Sequence, residues 1–123
     1  MILHEILYHT VSMQETDTEQ FSADIALNGK SMIFQAHFPD LPVLPGACLV
    51  QMSKEYIEQK RQQQIRITLF KNLKFLRTIN PLEYPEITIH FAIQEKEGAY
   101  LANVTYSKQN TVFCKLDYLF ITQ

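Results

Sequence analysis

The residues best suited to chemistry lie in one short segment, His37–Gly46, which reads HFPDLPVLPG. A histidine exchanges protons near neutral pH, so His37 can act as a base. Prolines recur at every third position of the segment and stiffen it, because each ring fixes its own φ angle. Gly46 ends the segment and allows another group to approach the backbone closely. The segment therefore joins a candidate base to a glycine through a rigid connector.

A predicted helix begins directly after Gly46 and adds a second chemical group. Residues 47–64 contain no proline or glycine and consist of good helix formers. The N-terminus of a helix carries unpaired N–H groups and a partial positive charge, which can bind the oxygen of a polarised carbonyl. The alternatives are a structural histidine beside an aromatic residue, a stiff surface loop and a polyproline ligand. The residue types alone leave these alternatives open.

The order of residues in this segment resembles that of the 3-hydroxyacyl-[acyl-carrier-protein] dehydratase family. The matching residues are His37, Phe38, Pro39, Pro42, Val43, Pro45 and Gly46. The resemblance implies the hot-dog fold, in which a curved antiparallel sheet wraps one long central helix. It also implies a dimer, since the family builds each active site across two subunits. A homodimer is expected, and a heterodimer stays open.

The resemblance also implies roles for individual residues. His37 corresponds to the catalytic histidine that takes the α-proton, and the N–H of Gly46 corresponds to the donor to the thioester carbonyl. The family's catalytic acid, which helps the hydroxyl group to leave, corresponds to Gln51, whose amide cannot donate a proton as an acid. Glu55 lies one turn later on the same helix face. It is either a relocated acid or a residue that pairs with neighbouring side chains or solvent.

The implied function is that of a 3-hydroxyacyl-thioester dehydratase-like protein of fatty-acid or polyketide-type lipid metabolism, with no cofactor. Its substrate would be an acyl chain carried by acyl carrier protein or CoA. Two alternatives stay open: a non-catalytic acyl-thioester binder or inactive partner subunit of a hot-dog heterodimer, and a hot-dog thioesterase that uses Glu55. The residues expected to line the acyl pocket are Phe38, Pro39, Val43, Leu44 and Val50.

Alternating apolar residues predict the strands that must position this segment, because period two places each set on one strand face. Lys71 interrupts one set and predicts a bulge or a strand end there. Asn28-Gly29 predicts a tight hairpin between antiparallel strands. Together with the helix, these strands predict an α+β fold with one helix on an antiparallel sheet. The sets lie in residues 21–27, 65–75, 87–93, 100–106 and 112–120.

Length and composition describe an ordinary domain spanning residues 1–123. A net charge of −2 argues against a nucleic-acid binder, and no apolar run is long enough to cross a membrane. The start of the chain does not resemble a secretory signal. Cys48 and Cys114 are expected to be free thiols in the cytoplasm, with Cys48 packed in the core. The histidines and cysteines have no spacing that predicts a metal site.

Basic residues cluster between residues 60 and 77, where no Asp or Glu occurs. Such a strip on a mildly acidic protein suits an acidic partner, and acyl carrier protein is one. A solvated helix end and strand face is the equally open alternative. The basic residues are Lys60, Arg61, Arg66, Lys71, Lys74 and Arg77.

Overall fold

The structure is a computed structural model that describes residues 3–17, 19–36 and 43–123. His37, Phe38 and Pro39, which the sequence places in the site, lie outside the described residues. The described elements in chain order are β1 (Tyr8–Glu15), β2 (Gln20–Leu27), α1 (Met32–Ala36), α2 (Gly46–Arg61), β3 (Ile65–Phe75), β4 (Glu86–Lys96), β5 (Ala99–Lys108) and β6 (Thr111–Thr122).

The strands form one antiparallel sheet in the order β1-β2-β4-β5-β6-β3, and α2 packs against one face of it. Buried hydrogen bonds join the helix to the sheet, and two of them involve β5 and β6. Tyr106 donates its hydroxyl to the carbonyl of Leu49 at 2.6 Å, and the hydroxyls of Ser53 and Tyr118 lie 2.7 Å apart. The predicted α+β arrangement of one long helix on an antiparallel sheet is confirmed.

The predicted alternation is confirmed in four strands and differs in the fifth. In β2, β4, β5 and β6 the alternating residues are buried or half-buried as expected. In β3 only Ile65 is buried, whereas Leu69, Leu73 and Phe75 are exposed. This strand lies at the edge of the sheet, and its pairing with β6 shifts at two bulges. One bulge lies between Phe70 and Asn72, which confirms the bulge predicted at Lys71.

The hairpin predicted at Asn28-Gly29 is wrong, because the chain leaves β2 and enters the short helix α1. Side chains direct this path. The Asn28 side-chain oxygen accepts the N–H of Lys30 at 3.1 Å, and the Ser31 hydroxyl accepts the N–H of Ile33 at 3.3 Å. Bonds of this kind start a helix rather than a returning strand.

Helix α2 ends at Arg61, before the predicted end at residue 64. Gln62 adopts a left-handed conformation with φ of 51°, and the N–H of Gln63 donates to the carbonyl of Glu58 at 3.2 Å. A left-handed residue followed by such a backward hydrogen bond is a common way to end a helix. Predicting this end from the sequence fails because glutamine rarely takes this role.

We expect the replacement Met52→Ala to lower the free energy of unfolding by about 2–5 kcal/mol, because it leaves a cavity between α2 and the sheet. Met52 is 0% exposed, whereas Met32 on α1 is 82% exposed, so Met32→Ala is the matched control. The control is expected to change stability by less than about 0.5 kcal/mol. Urea unfolding measures both variants, and equal losses would contradict the placement of α2.

Candidate functional site

The first turn of α2 presents backbone donors. Pro45 precedes the helix with φ of −64° and ψ of 147°, and no side chain caps the helix at this residue. The N–H groups of Cys48 and Leu49 both donate to the carbonyl of Pro45, at 3.0 and 3.2 Å. Within the described part of the chain, the N–H groups of Gly46 and Ala47 have no acceptor. Among the described residues, these two donors at the positive end of the helix are therefore unpaired.

An apolar pocket of about 480 Å³ lies against this helix N-terminus. Leu44, Leu49 and Phe75 contribute apolar walls, and Arg77 contributes a basic group. A Cβ atom on Gly46 would lie 3.1 Å from two atoms of the Phe75 ring, closer than ordinary packing. Glycine is therefore the residue that lets this ring pack against the start of the helix.

The three described residues that were expected to line the acyl pocket lie in different surroundings. Leu44 lines the pocket, and its N–H donates to the carbonyl of Ile79 at 2.8 Å. Val43 is half-buried but does not line this pocket. Val50 is half-buried against the core.

Glu55 has a carboxylate that is enclosed on every side, with an exposed fraction of 0%. Its Oε1 accepts the N–H groups of Leu3 and His4, both at 3.2 Å, and the hydroxyl of Tyr8 at 3.0 Å. Its Oε2 accepts the N–H of Leu3 and the side-chain Nε2–H of Gln51, both at 3.0 Å. The partners are thus a backbone turn, a tyrosine and the amide one helical turn earlier.

Burial raises the pKa values of one tyrosine and two cysteine side chains. Desolvation, followed by the negative charge of Glu55, raises the pKa of the Tyr8 hydroxyl and that of the Cys48 thiol. Desolvation also raises the pKa of Cys114 to about 12. Both cysteines are free, and Cys48 packs against the core as the sequence predicts. Their thiols are therefore protonated, unreactive groups at neutral pH.

The two ends of the candidate site lie apart along the helix axis within one chain. Helix rise places Gln51 about 7.5 Å and Glu55 about 13.5 Å beyond Gly46. Gln51 and Glu55 share one face and touch each other, but neither lines the pocket at Gly46. The chain thus separates the group that would bind a carbonyl from the groups expected to handle a hydroxyl.

The predicted basic strip divides into two parts. Lys60 pairs with Glu15, and Arg61 lies 4.0 Å from Glu19 and 4.1 Å from the centre of the Tyr100 ring. These two cations are held by their own chain. The exposed part of the strip consists of Arg66, Lys71, Lys74 and Arg77.

Two features of the site could not be predicted from the sequence. The donors from Leu3, His4 and Tyr8 to Glu55 join residues far apart in the chain. The ring of Phe75 over the start of the helix was also missed, although glycine at residue 46 signals a close approach. In the described residues, no cluster of His, Cys, Asp and Glu can hold a metal, and no helix is long and apolar enough to span a bilayer.

Residues 12–116 match the ApeI-like family, described as ApeI dehydratase. The match covers most of the chain, and the chain therefore belongs to the ApeI-like dehydratase family. The expected resemblance to hot-dog dehydratases is confirmed. No curated protein shows significant sequence similarity to the chain.

Solved structures show the same fold at low sequence identity. A chain of the dehydratase heterocomplex ApeI:P from Xenorhabdus doucetiae aligns with a TM-score of 0.78 at 15% identity, covering 91% of this chain and 96% of that one. A hypothetical thioesterase with coenzyme A from Streptococcus pneumoniae aligns with a TM-score of 0.67 at 7% identity, covering 94% and 85%. A mutant thioesterase from Pseudomonas aeruginosa aligns with a TM-score of 0.59 at 12% identity, covering 90% and 81%. The fold is thus the hot-dog fold that the family resemblance implies.

We expect Tyr8→Phe to lower the free energy of unfolding by about 1.5–3 kcal/mol, because it removes a hydrogen bond to a buried carboxylate. Tyr100→Phe is the matched control, since the Tyr100 ring stacks on Phe120 and its hydroxyl bonds to no described residue. Thermal or urea unfolding measures both variants. Equal stability of Tyr8→Phe and the parent would show that this hydroxyl does not support Glu55.

Proposed function

We propose that residues 1–123 form one hot-dog domain that acts as a 3-hydroxyacyl-thioester dehydratase-type protein. The observation that carries the proposal is the apolar pocket at the start of α2, lined by Gly46 and Phe75, where the N–H of Gly46 has no acceptor among the described residues. An apolar pocket suits an acyl chain, and a free N–H at a helix N-terminus suits a thioester oxygen. The ligand is an acyl chain on acyl carrier protein or CoA, as in fatty-acid or polyketide-type metabolism.

The proposed reaction begins at the carbonyl. The N–H of Gly46 binds the thioester oxygen and so makes the α-proton more acidic. His37 takes this proton, the C–H electron pair forms the new double bond, and the C–O bond at the neighbouring carbon breaks. Gln51 cannot supply a proton to the leaving hydroxyl. We therefore assign the return of that proton to His37, which releases water and restores the free base.

The exposed edge of β3 supports a dimer. This strand pairs only with β6, which leaves its other edge open within the described sheet. A long, exposed apolar edge strand is a ready site for pairing with another chain. We propose that a second copy pairs here, beside the pocket that Phe75 and Arg77 line. The exposed apolar residues of this surface, the β3 edge, are Leu69, Phe70, Leu73, Phe75 and Leu76.

A second candidate function is a partner subunit that completes a hot-dog heterodimer. Two observations favour it: Gln51 occupies the position of the acid, and the carboxylate of Glu55 is enclosed by donors of its own chain. A different subunit would then supply the acid to the site of His37 and Gly46.

The thioesterase alternative draws no support from Glu55, because an enclosed carboxylate cannot reach a thioester or a water. The two free thiols fit a location in a reducing cytoplasm.

The central prediction concerns the N–H of Gly46. The assay measures the hydration of 2-enoyl thioesters through the loss of their enoyl absorbance. Gly46→Pro removes this N–H, and Gly46→Ala keeps it while placing a Cβ atom at the same point. Proline is tolerated as the first residue of a helix, and the ψ of 147° at Pro45 suits a residue that precedes proline. We expect Gly46→Pro to lower kcat/KM by about 10²–10³ relative to Gly46→Ala.

Three outcomes separate the candidate functions. Turnover by the parent that His37→Ala abolishes supports the dehydratase. A parent protein that binds acyl thioesters without turnover, and that turns them over only with a second hot-dog subunit, supports the function of a partner subunit. Hydrolysis of the thioester without exchange at the α-carbon would contradict both. Circular dichroism confirms that each variant is folded.

The dimer is tested by sedimentation. We expect Leu69→Lys to convert a dimeric parent to monomers, because it places a charge on the β3 edge. Leu69 is 53% exposed, and Val11 on the opposite edge strand β1 is 52% exposed, so Val11→Lys is the matched control. A monomeric parent, or dissociation by both variants, would contradict pairing through β3. A stable complex only with a different hot-dog chain would favour the heterodimer.

A further inference from the structure

We propose that the face of the sheet opposite α2 binds the surface of an anionic lipid bilayer. The contact lies where β3 pairs with β6, and we call this area the outer cationic face. The inference goes beyond the proposed function, because it uses neither the pocket at Gly46 nor an acyl thioester. The outer cationic face consists of the cross-strand pairs Arg66 and Ile121, Leu69 and Leu119, and Lys74 and Lys115.

Contacts with the helix show which way these side chains point. The hydroxyls of Ser53 on α2 and Tyr118 on β6 lie 2.7 Å apart, so Tyr118 points toward the helix. Side chains alternate between the two faces of a strand. Lys115 lies at an odd distance from Tyr118 along β6, and it therefore points away from α2. Residues directly opposite each other on paired strands share a face, so Lys74 points away from α2 as well.

The cations of this face have no acidic partner in the described part of the chain. Lys74 and Lys115 lie directly opposite each other, and like charges in this position destabilise a sheet. Arg66, Lys74 and Lys115 are all exposed, and no described salt bridge involves them. Lys60 and Arg61 differ, because each faces a glutamate. The arrangement of the cations therefore favours an anion from outside the chain.

Aliphatic side chains lie beside these cations on the same face. Leu69 and Leu119 form the pair between the arginine and the two lysines, and Ile121 lies directly opposite Arg66. Leu69 is 53% exposed, whereas Leu119 and Ile121 are half-buried. Basic residues beside exposed apolar residues are typical of proteins that bind at the boundary between lipid headgroups and acyl chains.

The charge of this face decides between possible occupants. A second copy laid face to face against it would place cations against cations, which opposes association. Asp117 also lies on this face, opposite Asn72, and its Oδ1 accepts the Nδ2–H of Asn103 at 2.6 Å. This one carboxylate does not balance three cations. The occupant that fits is therefore anionic and apolar together, as the surface of an anionic bilayer is.

The proposed pairing of two copies through the β3 edge would double the outer cationic face. Antiparallel pairing of two identical edge strands continues the sheet, so the face opposite α2 lies on the same side in both copies. A bilayer then contacts the cations of both copies together, and linked contacts bind more strongly than either does alone. An extended anionic surface therefore fits this face better than one acidic protein domain.

The experiment is cosedimentation of the full chain with vesicles. One set contains phosphatidylcholine and phosphatidylglycerol in equal amounts, and the reference set contains phosphatidylcholine alone. Lys115→Glu is the test variant, because it leaves the edge strand β3 unchanged and turns a pair of like charges into a pair of opposite charges. Lys30→Glu is the matched control, since Lys30 is exposed between β2 and α1 and the change in net charge is the same.

We expect the parent to bind the mixed vesicles and not pure phosphatidylcholine, and to bind them less as salt is added. Each cation near an anionic bilayer strengthens binding about fivefold, so reversing the charge of Lys115 should weaken binding about 25-fold. Lys30→Glu should stay within about twofold of the parent. The melting temperature of Lys115→Glu should rise, because opposite charges now face each other, so unfolding cannot explain its loss of binding.

The remaining outcomes overturn the proposal. Binding of neither kind of vesicle by the parent would do so, and so would equal binding of both kinds. Equal losses in Lys115→Glu and Lys30→Glu would reduce the effect to net charge. Binding of purified acyl carrier protein through Lys115, without binding of vesicles, would assign the face to an acidic protein instead. Each of these results leaves the pocket at Gly46, and with it the proposed function, to its own test.

Fluorescence locates the contact independently of charge. The chain contains no tryptophan, so a single introduced tryptophan reports its own surroundings. Leu119→Trp places one on the outer cationic face, and Met32→Trp is the control on α1, where Met32 is 82% exposed. On addition of mixed vesicles, the emission of Leu119→Trp should shift to shorter wavelengths and that of Met32→Trp should not. A shift in Met32→Trp, or none in Leu119→Trp, would overturn the assigned surface.

Discussion

The buried carboxylate of Glu55 is the interaction on which the arrangement of the site depends. An ion removed from water destabilises a protein unless hydrogen bonds replace its hydration. Here the replacing donors come from the N-terminal turn, from Tyr8 on β1 and from Gln51 on α2. The same bonds therefore fix the start of the chain against the central helix, withdraw Glu55 from acid chemistry and orient the amide of Gln51.

The central helix separates two tasks along its length. Gly46 in its first turn lines an apolar pocket, and Gln51 lies in its second turn, about 7.5 Å further along the axis. In the proposed dimer these two groups would serve different sites, since the resembling family builds each active site across two subunits. The exposed β3 edge lies beside the pocket, so a second subunit that pairs there would lie next to the pocket.

Local patterns were readable from the sequence, and long-range partners were not. The strands β2, β4, β5 and β6 follow from period-two alternation, and α2 follows from its lack of breakers. Exposure of Leu69 and Leu73 was not predictable, because it depends on β3 lying at the edge of the sheet. The enclosure of Glu55 was also hidden, because two of its donors are backbone N–H groups of Leu3 and His4, which leave no signature in residue type.

The most direct test of the proposed acyl-thioester site observes Gly46 itself. The chain has 3 glycines, so labelling glycine with ¹⁵N yields one amide signal each for Gly29, Gly46 and Gly98. On saturation with a 3-hydroxyacyl pantetheine thioester, the proton signal of Gly46 should move downfield as its N–H binds the thioester oxygen. The signal of Gly98, in the β4–β5 turn, should stay in place. Binding that leaves the Gly46 signal unmoved would contradict the account.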